Sequence, residues 1–141
     1  MLLMVYGDDA FRVKERARDF VAKFVTKHDP TKLNVDEIVF TKKDELDLPR
    51  IADAVTASPF LSERRMVRIN GILSFVTTKL EAEPWVTTLS SIPESTIVVL
   101  VDALSVEKIE KTELFKRLRD REDTHRYPMP MFVGSELRTW L

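Results

Sequence analysis

The sequence predicts an α/β fold, a parallel sheet of about five strands with helices on both faces. The first observation is that residues 2–6 and 96–101 form uninterrupted apolar runs, which are typical of strands covered on both faces. The second is that strand-like and helix-like segments alternate along the chain, as they do where helices connect parallel strands. The length of 141 residues suits one domain of this kind.

The first strand, residues 2–6, leads into a predicted helix over residues 10–27. Asp8 and Asp9 precede this helix and are good N-caps, and Asp29-Pro30 ends it. Its apolar residues recur at spacings of three and four, which indicates one buried face. They are Val13, Ala17, Phe20, Val21 and Phe24.

The middle of the chain predicts two strands around a short helix. Residues 36–41 read as a strand, and a helix begins near Leu48-Pro49, with proline tolerated in its first turn. A loop follows, and residues 66–69 form the next strand, which ends at the turn signal Asn70-Gly71.

The segment over residues 72–91 predicts two helices. Leu73, Phe75, Val76 and Leu80 suit the first helix, and Pro84 suits the start of the second. In the second helix, Trp85, Val86 and Leu89 are expected to face inward.

After the strand at residues 96–101, we expect a charged helix near residues 110–121. Leu114, Phe115 and Leu118 form its predicted buried stripe. The pairs Glu107/Lys111 and Glu113/Arg117 have the favourable four-residue spacing. Residues 126–132 contain two prolines, so a strand there is expected to be short or at an edge.

Composition excludes several classes of function. The chain is 44% hydrophobic and 32% charged, which is ordinary for a globular protein in water. A net charge of −1 gives no basic field for nucleic acid or an acidic membrane surface. The absence of cysteine removes disulfides, thiol catalysis and thiolate metal sites. No apolar run is long enough to cross a membrane, and we expect a cytoplasmic protein.

The strand ends carry no recognisable catalytic motif. A phosphate-binding loop needs the pattern GxxxxGK[ST], but Arg12 stands at the second glycine position after Gly7. Asp8 and Asp9 would also repel a phosphate at the helix N-terminus. Asn70 stands after residues 66–69, where a magnesium-dependent nucleotidase would place an acid. We therefore expect no catalytic residue, no cofactor and no metal, since two histidines without cysteine make a poor metal site.

The loop before the strand at residues 66–69 is unusual because it presents large apolar side chains at a proline-marked turn. Phe60 and Leu61 follow Pro59, at a place where turns normally carry polar residues. Arg64 and Arg65 follow, and arginine beside an apolar centre is typical of the rim of a protein interface. A loop that tucks these apolar residues into the core is the alternative interpretation.

Four stretches together resemble the N-terminal domain of the delta subunit of bacterial DNA polymerase III. They are residues 5–9 (VYGDD), residues 58–67 (SPFLSERRMV), residues 96–101 before a lysine-containing helix, and residues 136–140 (ELRTW). The resemblance spans nearly the whole chain, and the run from Pro59 to Arg65 is its most specific part.

This resemblance implies an AAA+-like core that lacks a working nucleotide site. It implies a non-catalytic subunit that binds the ring-shaped sliding clamp (the beta subunit) and helps to open the ring for loading onto DNA. Phe60 with Leu61 or Pro59 would enter a pocket on the clamp, and Arg64 and Arg65 would lie at the rim. ATP-dependent control would come from other clamp-loader subunits, contacted through further domains, and DNA would be engaged indirectly.

The same resemblance divides the chain into two parts. Residues 1–134 would form the clamp-binding domain, and residues 135–141 would begin a second, helical domain of a longer protein. Trp140 is expected to pack in the core or at that junction.

Two other functions remain open at this point. A receiver-like signalling domain also places an acidic pair after its first strand, although Asn70 stands where its phosphate-accepting aspartate would be. A nucleotide-using enzyme with a divergent site is the second, and the missing glycine-rich loop is evidence against it.

Overall fold

The structure is a computed structural model that describes residues 1–131. The expected second helical segment at residues 135–141, with Trp140, lies outside these residues. The elements in chain order are β1 (Leu2–Tyr6), α1 (Ala10–His28), β2 (Val35–Val39), a 3-10 turn (Lys43–Glu45), α2 (Leu48–Thr56), β3 (Arg65–Asn70), α3 (Ile72–Phe75), α4 (Lys79–Leu89), β4 (Thr96–Asp102), α5 (Val106–Glu110), α6 (Glu113–Arg119) and β5 (Thr124–Pro128).

The five strands form one parallel sheet in the order β2-β3-β4-β1-β5. The predicted α/β class and parallel sheet are therefore confirmed. A receiver-like domain instead has the strand order 2-1-3-4-5, with its first strand between the second and third. Here β1 lies between β4 and β5, so the receiver-like alternative is wrong.

Helices cover both faces of the sheet, but unequally. Alternate residues of β1 point to opposite faces, with Leu2, Met4 and Tyr6 in one apolar cluster and Leu3 and Val5 in the other. The first cluster is completed by residues of α2 to α6. Among the helices of residues 1–131, only α1 covers the second cluster, through its predicted inward face.

The segment over residues 72–91 differs from the prediction. The second helix begins at Lys79, so Pro84 lies inside it, and Leu80 is 85% exposed. The helix starts early because the Thr78 hydroxyl caps it by accepting from the backbone N–H of Glu81, at 3.2 Å. Trp85 and its apolar neighbours in the helix are buried, as expected.

The charged helix expected near residues 110–121 is α6 (Glu113–Arg119), and a separate short helix, α5 (Val106–Glu110), precedes it. The Thr112 hydroxyl accepts from the backbone N–H of Phe115 at 3.3 Å and starts a new helix there. The predicted buried stripe and the Glu107–Lys111 pair are confirmed, the latter at 2.8 Å. Arg117, however, forms an ion pair with Glu83 of α4, which joins two helices.

Candidate functional site

The loop over residues 57–64, called the Phe60 loop here, connects α2 to β3. Because all five strands are parallel, every strand begins at the same edge of the sheet, called the amino edge here. The Phe60 loop and the C-terminal end of α1 both lie at this edge. The candidate site is thus opposite the carboxyl edge, where ligands of parallel α/β sheets usually bind.

The Phe60 loop exposes its two largest apolar side chains. Phe60 is 58% exposed and Leu61 is 89% exposed, while Pro59 is half-buried. Leu61 also has a backbone φ of +53°, a conformation that a leucine seldom adopts. Such backbone strain persists only where the surroundings impose it, and it is concentrated at functional sites.

A buried side chain fixes the backbone of Phe60. The Asn34 amide donates to the Phe60 carbonyl at 2.8 Å and accepts from the Phe60 N–H at 2.6 Å. Asn34 is 1% exposed and lies just before β2, where its own carbonyl accepts from the N–H of Met66 at 2.8 Å. The apolar turn is therefore tied directly to the start of the sheet.

Two further groups hold the loop. The Asp29 carboxylate, at the end of α1, accepts from the backbone N–H of Asn34 at 2.8 Å and from its side-chain amide at 3.1 Å. The Ser62 hydroxyl donates to the carbonyl of His28 at 2.9 Å. The loop is thus bonded to the end of α1 as well as to the sheet.

The two arginines expected at the rim have different environments. Arg64 is exposed, whereas the side chain of Arg65 is 12% exposed. The Arg65 guanidinium donates to the carbonyl of Ala54 at 3.1 Å and forms an ion pair with Asp36. Arg65 therefore links α2 and β2 to β3, and Arg64 is the more accessible of the two to a partner.

Sequence reasoning missed three residues at this edge: Asp29, Asn34 and Leu33. The side chain of Leu33 is 56% exposed and directly precedes Asn34. An aspartate and an asparagine in a loop normally indicate turn formation, so their role in holding a distant loop gave no sequence signal. An apolar residue at position 33 of that polar loop was the one available sign.

The turn after β1 does not fit a nucleotide phosphate. Gly7 has a φ of +148°, and a Cβ atom there would lie 2.2 Å from the carbonyl oxygen of Met129. That same carbonyl accepts from the N–H of Asp9 at 3.1 Å, and the Asp9 carboxylate accepts from the N–H of Arg12 at 3.1 Å. The Asp8 carboxylate accepts from the N–H of Val106, also at 3.1 Å. These amides are therefore engaged by the protein itself, and the two carboxylates occupy the place where a phosphate would need positive charge.

At the carboxyl edge, Asp102 at the end of β4 is a buried acid. Burial raises its pKa to about 6, although hydrogen bonds from Ser74 oppose the shift. The Ser74 hydroxyl donates to the carboxylate at 2.5 Å and the Ser74 N–H donates at 3.1 Å. Asn70, at the end of β3, accepts from Arg68 at 3.2 Å. Across residues 1–131, no group of three His, Asp or Glu side chains is arranged to hold a metal ion.

Comparison with solved structures finds the same architecture in other proteins. The DNA clamp loader delta protein of Bacillus subtilis superposes with a TM-score of 0.71 at 17% identity, covering 99% of this chain and 41% of that one. A DNA polymerase III gamma subunit-related protein of Thermotoga maritima superposes with a TM-score of 0.62 at 21% identity, covering 99% of this chain and 43% of that one. The chain shares the α/β fold of these two proteins. The fold expected from the sequence resemblance is thereby confirmed.

These two structures match this chain over only part of their own length. This chain spans about two fifths of the length of each of these two proteins. TM-scores of 0.71 and 0.62 establish the shared fold, but at identities of 17% and 21% a shared fold does not establish a shared function. No protein-family model and no curated protein sequence matches the chain. Within residues 1–131, no helix combines the length and apolar character needed to span a bilayer.

Proposed function

We propose that this chain is the clamp-binding domain of a clamp-loader subunit of the delta type. The observation that carries the proposal is an exposed phenylalanine and leucine in a rigidly held turn of a clamp-loader fold. An exposed apolar pair beside arginine suits insertion into an apolar pocket of a protein partner. The proposed partner is the ring-shaped sliding clamp.

Energetics support an apolar contact of this size. Burial of one phenylalanine and one leucine supplies roughly 3–6 kcal/mol of gross transfer free energy. Association costs offset part of this gain, and less is lost when the binding loop is already ordered. The hydrogen bonds of Asn34 and Ser62 to the loop provide such ordering.

The proposed action on the clamp is mechanical. A protein that binds an open ring more tightly than a closed ring shifts the clamp toward the open form. This requires no bond making or breaking by the domain. The engaged amides and the carboxylates around Gly7 support a non-catalytic subunit, with ATP-dependent control supplied by other subunits of the loader.

The same proposal covers the remaining partners. Other loader subunits would be contacted through further domains of a longer protein, and DNA would be reached through the clamp. The formal net charge of −1 supports indirect rather than direct engagement of DNA.

Binding of the full chain to the purified clamp of the same organism tests this proposal. We expect saturable binding by the wild type, and a loss of at least about 30-fold in affinity for Phe60→Ala, as at an interface hot spot. Phe11→Ala is the matched control, because Phe11 is a 72% exposed phenylalanine at the start of α1 on the carboxyl edge. No binding by a folded wild type, or equal losses in both variants, would refute the proposal.

A further inference from the structure

The side-chain amide of Asn34 uses its NH2 group and its oxygen in hydrogen bonds within the protein. One side-chain N–H donates to the Phe60 carbonyl and the other donates to the Asp29 carboxylate, while its oxygen accepts from the Phe60 N–H. A primary amide has two donors and an acceptor oxygen on one planar group. Asparagine alone among side chains of this length offers that set, because aspartate lacks donors and leucine lacks both donors and acceptor.

Asp29 fixes the orientation of that amide. Its two carboxylate oxygens receive the side-chain and backbone N–H groups of Asn34, and the Thr31 hydroxyl donates at 3.4 Å. Both Asp29 and Asn34 are 1% exposed, so these charge-assisted bonds are shielded from water. Rotation of the Asn34 amide by a half-turn would place its oxygen against the carboxylate, which is repulsive.

Asn34 bonds to the residue directly before a left-handed backbone position in the exposed apolar turn. The Asn34 side chain hydrogen-bonds both the N–H and the carbonyl of Phe60. Leu61 follows directly in the left-handed region, at a φ of +53°. Because Phe60 is held by Asn34 and Ser62 is held by its bond to the His28 carbonyl, the backbone conformation of Leu61 between them is restricted. The left-handed turn in turn sets where the phenylalanine and leucine side chains project.

We propose that Asp29 and Asn34 are positioning residues that pre-form the Phe60–Leu61 turn for docking. This proposal rests on the function proposed above, and it names the residues that would raise the affinity of the chain for the clamp by ordering the turn. Neither residue needs to touch the partner. They act by removing the ordering cost that a loose loop would incur on binding.

The first test examines the protein alone. In the wild type, the Phe60 amide should be protected from hydrogen exchange because Asn34 accepts from it. Asn34→Ala should lose that protection by about 10-fold or more at residue 60, while amides in the middle of β4 keep theirs. Asn70→Ala is the matched control, an asparagine at the other edge of the sheet that bonds to Arg68. Unchanged exchange at Phe60 in Asn34→Ala would overturn the proposal.

The second test is a double-mutant cycle on clamp binding. Asn34→Ala should weaken binding by about 10-fold in the wild-type background. In the Phe60→Ala background it should weaken binding by less than about 2-fold, because the positioned side chain is already absent. A structural role alone would lower the melting temperature equally in both backgrounds without this coupling.

Ser62→Ala keeps the test usable if Asn34→Ala does not fold. It removes the bond to the His28 carbonyl and the bond that the Ser62 oxygen accepts from the Arg64 N–H at 3.3 Å, while both Asn34 bonds to Phe60 remain. It should therefore give a smaller loss of affinity, again only when Phe60 is present. Equal losses with and without Phe60 would overturn the positioning role while leaving the clamp contact in place. A wild type that binds no clamp would overturn the proposed function and this role together.

Discussion

Truncation of Phe60 should hardly affect folding, and the structure gives the magnitude. Phe60 is 58% exposed, so about two fifths of the side chain is shielded from water. Full burial of a phenylalanine is worth about 1.5–3 kcal/mol, so Phe60→Ala should lower the free energy of unfolding by about 1 kcal/mol. No cavity term is expected, since a truncated surface side chain leaves no enclosed void.

Phe115 provides the contrast within the same chain. It is 0% exposed and packs edge-on against Tyr6, with ring centroids 5.1 Å apart. Phe115→Ala should therefore lower the free energy of unfolding by about 3–5 kcal/mol. Phe11→Ala, at a residue that is 72% exposed, should cost less than about 1 kcal/mol.

Urea denaturation of the wild type and the three variants measures these differences directly. The slopes of free energy against urea should agree among the variants, so that midpoints report stability. A loss for Phe60→Ala as large as that for Phe115→Ala would mean that the loop packs its phenylalanine inward. That result would refute the docking interpretation and restore the purely structural one.

Three further predictions follow from individual contacts. Leu61→Gly relieves the left-handed strain, so the free energy of unfolding should stay the same or rise by up to about 1 kcal/mol while clamp affinity falls; Leu80→Ala, at an exposed leucine elsewhere, should change neither. Burial raises the pKa of Asp102 to about 6, above its value of 3.8 in an unfolded chain. Between these two pH values the folded chain therefore binds more protons than the unfolded chain. Asp102 should therefore add about 1 kcal/mol of stability from pH 7 to pH 5, and Asp102→Asn should abolish that increment in stability–pH curves. Arg65→Ala should lower the free energy of unfolding by about 1–3 kcal/mol in urea denaturation, because it removes a buried donor. Arg64→Ala should lower it by less than about 0.5 kcal/mol. Arg64→Ala should also slow association with the clamp at low salt.

A specific result would contradict each of these three predictions. A Leu61→Gly variant that unfolds more easily by over about 1 kcal/mol would show that the leucine side chain is needed by the fold. Parallel stability–pH curves for wild type and Asp102→Asn would exclude a raised pKa. Equal stability losses for the two arginine variants would contradict their different environments.

The sheet and the first helix were predictable because their signals are local. The apolar run of residues 2–6 and the three- and four-residue spacing in α1 depend on nothing outside those segments. Exposure of Phe60 was one of two interpretations of a local oddity, an apolar pair at a proline turn. The structure distinguishes them because it shows how much of each side chain is covered.

The errors arose where distant residues decide the outcome. Arg117 has Glu113 at helical spacing, but Glu83 of a neighbouring helix is its ion-pair partner. The Asn34–Phe60 bonds join residues 26 positions apart, and no periodicity reports such a contact. The error at Pro84 is different because a local cap decides it: the hydroxyl of Thr78 accepts from the N–H of Glu81 and starts the helix before the proline. In each case a specific hydrogen bond or ion pair, which the spacing of apolar residues does not report, decides the outcome.

Photo-crosslinking from position 60 tests the central claim most directly. A photoreactive phenylalanine analogue would be placed at position 60 in one sample and at position 11 in another, and each would be irradiated with the sliding clamp. We expect a chain–clamp adduct from position 60 that maps to one apolar pocket of the clamp, and none from position 11. An adduct from position 11 alone, or no adduct from position 60 under conditions where the two proteins bind, would contradict docking through the Phe60 loop.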